Sequence, residues 1–198
     1  MNNRELVMQA MTELFVDKDP TAVDRWVAAD YTQHNPQVPD GPAGLRGFLE
    51  ALPERFGYEL ARVLVDGDLV AVHGVYRELE PGSQLVAFDI FRLRDGKLAE
   101  HWDALTPLVE HTVSGRSQVE GPTRIAHPEQ TDQSHKIAAG FVETVLIGGH
   151  TEQIADYIST EQYHQHNPRA GDGLDGFGAL LTTFAEQGIT WSLTASSC

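Results

Sequence analysis

Cysteine is nearly absent from this chain. Its single copy, Cys198, is the last of 198 residues. An internal disulfide is therefore excluded, and nothing suggests a thiol nucleophile or a Cys-built zinc site. Basic residues are also scarce. Fourteen Lys and Arg stand against 29 Asp and Glu, for a net charge of −15. A nucleic-acid or anionic-membrane partner needs a basic face, so neither is expected. No apolar run has the length of a bilayer span. The opening "MNNRELVMQAM" lacks the basic start and continuous apolar run of a signal peptide. The expected location is the cytoplasm. What remains is ordinary for a globular chain: 41% hydrophobic and 22% charged residues.

One stretch occurs twice. "YTQHNPQVPDGPAG" begins at Tyr31 and "YHQHNPRAGDGLDG" at Tyr163, with eight of fourteen positions identical. The same offset aligns "RELVMQAMTELF" from Arg4 with "KIAAGFVETVLI" from Lys136, and "GLRGFLEAL" with "GFGALLTTF". A period this long is a duplicated domain rather than a solenoid unit. At that offset Cys198 corresponds to Asp66, so the second copy is expected to be shortened. The expected domains are 1–107, a Thr/Ser/Gly/Pro-rich linker over 108–134, and a truncated second copy over 135–198.

Apolar spacing in the first copy changes once. Val7, Ala10, Met11, Leu14 and Phe15 recur at helical spacing, with Asn2 or Asn3 as cap. Asp19-Pro20 restarts the chain as a second helix carrying Ala22, Val23, Trp26 and Val27. Asp40-Gly41-Pro42 opens a third, with Leu45, Phe48, Leu49 and Leu52 inward. After Gly57 the period becomes two. Four strands follow, punctuated by Asp66-Gly67, Pro81-Gly82 and Asp95-Gly96. Helices followed by strands argue an α+β fold with an antiparallel meander packed on helices. "VAFDIFRL" is apolar on both faces, so a partner subunit or the second copy is expected to cover the outer side. In the second copy, helices are expected near 135–148, 151–160 and 174–185, with one strand, "ITWSLTA".

The period-two phase brings polar groups together on apolar faces. His101 and Asp103 share a face with Ala99 and Leu105, and Asp89 lies among Leu85, Ala87, Phe91 and Leu93. A carboxylate on such a face is costly unless paired, and that setting suits an acid/base catalyst. The competing reading is a structural ion pair, Asp89 with Arg92 or Asp103 with a histidine. His73, beside Ala71 and Val75, suits a satisfied core histidine. Asn35-Pro36 suits a turn. Gln33 and His34 are less needed there, and His34 is expected to line a pocket. A metal reading would gather His34, His73 and His101 with a carboxylate, but no spaced ligand motif supports it.

"YTQHNPQVPDG" followed by "FDIFRLRDGKLAEHWD" resembles the SnoaL-like polyketide cyclases of the nuclear-transport-factor-2-like superfamily. The resemblance covers residues 4–107, and 135–195 for the helical half. It implies a cone-shaped curved antiparallel sheet packed on three helices, with a deep pocket at the wide end. It also implies intramolecular aldol condensation on an enolisable carbonyl compound, with no cofactor and no metal. Carried onto this chain, Asp103 is the acid/base, with His101 and His34 as its catalytic companions. Asn35, Asp89, His73, Trp102 and Tyr31 form the substrate-binding set. A small-molecule substrate and a homodimer or homo-oligomer are the implied partners. Epoxide hydrolases of the superfamily would require Arg two residues before an Asp, whereas here Arg92 follows Asp89. A ketosteroid-isomerase-like proton transfer using Tyr31, Asp89 and Asp103, and a non-catalytic ligand binder, are the rival functions.

Overall fold

Asn2 opens the first helix by a reciprocal cap. Its side chain accepts from the Glu5 N–H at 2.9 Å, and the Glu5 carboxylate accepts from the Asn2 N–H at 3.0 Å. The computed structural model describes residues 1–192, which divide into two units after Leu108. Among them, no helix is long and apolar enough to cross a membrane.

In the first unit, α1 (Asn3–Met11) passes into a π-helical turn, Thr12–Val16. Short α2 (Ala22–Trp26) leads directly into β1 (Val27–Gln33). Helix α3 (Gly41–Ala51) follows, then β2 (Gly57–Asp66), β3 (Leu69–Arg77), β4 (Gln84–Arg94) and β5 (Lys97–Pro107). The sheet order is β1-β5-β4-β3-β2. The last four strands form the expected antiparallel meander. Its β4–β5 turn has positive φ at both Asp95 and Gly96, the geometry that matches strand twist.

The fifth strand departs from the sequence reading. Val27 was placed on a helix and Tyr31 onward in an irregular stretch. The chain instead runs extended from Val27 and pairs parallel with β5, Gln33 opposite His101. The edge of β5 offers unpaired backbone groups that β1 satisfies, and Val27, Ala28 and Tyr31 are buried there. Leu6, Val7, Ala10 and Leu14 of α1, with Leu45 and Leu49 of α3, pack on Val70, Val72 and Phe91 of the inner sheet face. Leu60, Leu64, Phe88 and Ile90 remain partly exposed.

The second unit begins at Val109. The stretch read as a linker supplies backbone and hydroxyl partners to the repeated motif. The Ser114 hydroxyl donates to the Gln165 carbonyl at 2.7 Å, and the Val113 N–H to the Pro168 carbonyl at 3.0 Å. Gln118 is buried in this unit and accepts from the Val109 N–H at 2.8 Å. Helix α4 (Thr131–Gly140) again passes into a π-helical turn, Phe141–Ile147. A 3-10 segment (Thr151–Asp156) and α5 (Gly173–Glu186) complete the described elements. Ile158, Ala170, Phe177 and Leu180 form its core. Of the expected strand "ITWSLTA", Ile189 to Ser192 are not extended-paired, and the rest lies outside the described residues.

The two motifs match bond for bond. Gln33 N–H donates to Asp40 at 2.7 Å, and Gln165 N–H to Asp172 at 2.8 Å. Asn35 N–H donates to the Gln33 side chain at 2.9 Å, and Asn167 N–H to that of Gln165 at 2.8 Å. Gln37 and Arg169 donate to the Asn35 and Asn167 side chains at 2.8 and 2.9 Å. The glycine after each loop is sterically required. A Cβ on Gly44 would lie 2.0 Å from the Pro39 carbonyl oxygen, and one on Gly176 2.3 Å from that of Gly171. The repeat therefore encodes a loop that holds its own shape.

Candidate functional site

Extended chain from β1 sets alternate side chains inward. Tyr31, Gln33 and Asn35 all line one pocket in the first unit. Thr32 and His34 turn the other way. The opposite wall comes from β4 and β5, where Asp89 and Asp103 are direct partners across the ladder. His101 sits two residues before Asp103 on the same face. The donor atoms of Asp89, His101 and Asp103 all lie within 4.8 Å of one another.

Hydrogen bonds fix most orientations. The Gln33 side-chain oxygen accepts the Asn35 N–H, so the amide cannot be flipped without opposing two donors. That same oxygen faces His101 Nδ1 at 2.9 Å, so Nδ1 carries a proton. His101 Nε2 lies 3.2 Å from Asp89 Oδ1, which also accepts from the Tyr76 hydroxyl at 2.9 Å. Asp89 is 1% exposed, and its Oδ2 has no hydrogen-bond partner. Asn35 gives its side-chain oxygen to Gln37 N–H and its NH₂ to Asp103 Oδ2 at 2.5 Å. His101 also stacks on Phe91, 4.6 Å between centroids.

The tyrosines near these carboxylates are held neutral. Burial, then the charges of Asp89 and Asp103, push the Tyr31 phenol up. Burial and Asp89 raise Tyr58, and they raise Tyr76 well above its ordinary value. All three are hydroxyl donors at neutral pH. The unfolded chain releases these protons near pH 10 while the folded chain retains them. Stability is therefore full below about pH 10 and falls as pH rises beyond it. Tyr58→Phe removes one such group whose hydroxyl has no hydrogen-bond partner. The expected result is a shallower alkaline decline in urea midpoint between wild type and variant. Parallel declines would show that Tyr58 does not contribute.

Five expected residues converge: Asp103, His101, Asp89, Asn35 and Tyr31. Three do not. His34 is on the outer side, bonded to Glu100 at 2.9 Å and stacked on Trp102 at 4.8 Å. Trp102 alternates with His101 and Asp103 along β5 and so faces away from the pocket, with Arg92 5.8 Å from its ring. His73 alternates with the inward Val70, Val72 and Tyr76. It stacks on Phe88 at 4.1 Å and takes an Arg62 N–H at 2.7 Å on Nδ1. His34, His73 and His101 thus fail to gather, which removes the three-histidine metal reading. Asp89, His101 and Asp103 are the group among the described residues whose donors could reach one ion. The pairing of Asp89 with Arg92 is also corrected: Arg92 binds Asp68 and Glu100. Gln33 and Tyr76 were missed as site residues, although Gln33 is in phase with Tyr31.

A model of the SnoaL-like domain matches residues 8–101. The matched residues make up most of the first unit, which is similar to that domain. Solved structures similar to the chain include TsrD from Streptomyces laurentii, 24% identical with TM-score 0.45, covering 53% of this chain and 91% of that one. A Cytophaga hutchinsonii NTF2-like protein of unknown function is 17% identical with TM-score 0.48, covering 54% and 92%. An LEH-like epoxide hydrolase from M. tuberculosis is 20% identical with TM-score 0.44, covering 52% and 82%. No curated protein matches the chain. The matched residues lie in the first unit, which also holds the pocket.

Proposed function

We propose that the first unit is a small-molecule enzyme carrying out cofactor-independent acid/base chemistry on an enolisable carbonyl compound, of the aldol-condensation or cyclase type. The supporting observation is the pair Asp89 and Asp103 on ladder partners, with His101 beside them and its Nδ1 proton held by Gln33. Asp103 is the base. Asn35 holds its Oδ2 and leaves Oδ1 to take a proton from the carbon between or beside carbonyl groups. The electron pair moves onto the carbonyl oxygen. Tyr31 O–H and the second N–H of Asn35 donate to that oxygen. The enolate carbon attacks a second carbonyl, and Asp103 returns its proton to the new alkoxide. Proton transfer and hydrogen bonding suffice for this sequence of steps.

Deuterium wash-in tests the chemistry without knowledge of the natural substrate. In D₂O, 2-tetralone and an aryl β-keto ester are expected to exchange their acidic C–H faster with the protein than in buffer, read by proton NMR. Binding of such ketones with no exchange above buffer would favour a ligand-binding module instead.

The reading includes a cytoplasmic homodimer formed through the outer sheet face, where Phe88 and Ile90 are partly exposed. The second copy, from residue 135, is taken as a repeat serving structure. Sedimentation velocity should find a dimer that Phe88→Asp with Ile90→Asp converts to monomer. A monomeric wild type would remove the dimer from the proposal.

A further inference from the structure

In the first unit one arginine ties α3 to the start of α2. Arg46 donates from Nη1 to the Pro20 carbonyl at 2.7 Å and from Nη2 to the Asp24 carboxylate at 2.8 Å. Its side chain is only 32% exposed, so most of the aliphatic stem is covered. At the offset that aligns the two motifs, both acceptor positions persist in the second unit. Glu152 stands for Pro20, whose contribution is a backbone carbonyl, and Asp156 repeats Asp24. The arginine does not persist. Its position is Gly178, on α5.

A cleft lies where that side chain is missing. Gly178 lines it together with Ile154, Leu174 and Leu181, and Thr151 and Thr182 supply polar lining. A Cβ built on Gly178 would meet no atom within 4 Å, so the space is open at the point where an arginine stem would begin. Among the described residues, no lysine or arginine lines the cleft. Asp156, on the same 3-10 segment as Ile154, is exposed and makes no ion pair among the described residues. Leucine and isoleucine walls favour a hydrocarbon stem, and a free carboxylate beside them favours a cation that carries N–H donors. The net charge of −15 adds long-range attraction for a basic partner.

We infer that this cleft of the second unit receives an arginine side chain presented by a partner polypeptide. The stem lies against Ile154 and Leu181, and the guanidinium bonds the Glu152 carbonyl and the Asp156 carboxylate, as Arg46 bonds its two acceptors within the first unit. Lysine fits less well, because a compact ammonium lacks the paired, planar donors that Arg46 uses. The second copy thereby gains a docking surface from the loss of one side chain, at a joint that the first copy keeps closed. The inference concerns the second unit alone. It depends neither on the pocket of the first unit nor on any chemical step there.

The probe is N-acetyl-arginine methylamide, titrated into the full chain at pH 7 and followed by the Ile154 and Leu181 methyl signals and the Gly178 amide. These should shift together. N-acetyl-citrulline methylamide, of the same shape but uncharged, should bind about three- to tenfold more weakly. Asp156→Asn should bring the arginine probe down to the citrulline level. Gly178→Arg should fill the cleft from within and abolish the shifts. It should also slow exchange of the α5 amides by about two- to fivefold beyond Gly178→Ala, which adds helix propensity without a guanidinium and should still bind the probe. Four results would each overturn the inference: equal binding of the citrulline probe, no shift at these signals up to about 50 mM arginine probe, retained binding in Gly178→Arg, or α5 exchange no slower there than in Gly178→Ala. Tighter binding of free L-arginine than of the blocked form would assign the cleft to the amino acid and remove the polypeptide partner.

Discussion

Asp103→Asn is expected to lower the rate of C–H exchange by about 10²- to 10⁴-fold, the range associated with loss of a positioned general base. The substitution is nearly isosteric. The amide oxygen of the new side chain can still accept from Asn35 Nδ2, so the contact that seats residue 103 survives. Residue 103 is also only partly buried, which limits the cost of the change to folding. What is lost is the lone pair that takes the proton. The loss should therefore appear in kcat with little change in KM, because the ligand is still bound by the same walls. A matched melting temperature in the variant would assign the effect to chemistry. Exchange at the wild-type rate in Asp103→Asn would remove Asp103 as the base. His34→Ala is the natural control, since His34 lies on the outer side against Trp102 and Glu100. It should leave exchange at the wild-type rate.

Gln33→Leu is expected to cost a further measurable factor, about 10- to 100-fold, as changes to groups that orient a functional histidine typically do. Gln33 touches no reacting atom in this reading; it positions His101. Its oxygen takes both the Asn35 N–H and His101 Nδ1–H, and leucine can take neither. Each orphaned donor costs about 1–3 kcal/mol when buried, so stability should fall as well. Without that acceptor the imidazole can carry its proton on either nitrogen. Gln33→Glu separates positioning from packing. A carboxylate accepts from both donors, and most of the rate should return. If Gln33→Glu is as slow as Gln33→Leu, the loss comes from packing and the positioning role fails. Nitrogen chemical shifts of His101 provide a readout of the tautomer that a purely structural effect would not move.

Much of the fold was legible because both periodicities are strong. The helical spacing of Val7, Ala10, Met11 and Leu14 and the period-two strands after Gly57 correspond to observed elements. β1 was not legible. "VAADYTQ" has no clean alternation of apolar and polar residues, and its stability comes from an edge of β5 that lies about 70 residues further along the chain. Missing β1 carried through to the site. Once the stretch from Tyr31 is known to be extended, Gln33 and Asn35 must face with Tyr31, and His34 must face away. Residue type had favoured His34, but phase decides which side a residue joins. His73 and Trp102 failed for the same reason, each lying one position off the inward set. Asp89, His101 and Asp103 were legible because their segments were read as strands, which fixes the phase of each residue. The role of Gln33 depends on a fold contact with His101 that no local spacing encodes.

The motif loop itself is closed by bonds spanning two to seven residues, as between Asn35 and Gln33 and between Gln33 and Asp40. The site it serves is not local at all. Gln33 reaches His101 and Asn35 reaches Asp103 across 68 positions, and the His34 N–H reaches the His101 carbonyl at 3.0 Å. Closing so long a loop is costly in chain entropy and slows folding. The loop can take shape early, whereas the proposed site exists only once the first and last strands of the unit have docked. Chemical competence is then a late folding event, and the His34 amide is its timer: its exchange with solvent should track the recovery of activity during refolding, while the amide of Asn35, bonded within the loop, should gain protection sooner.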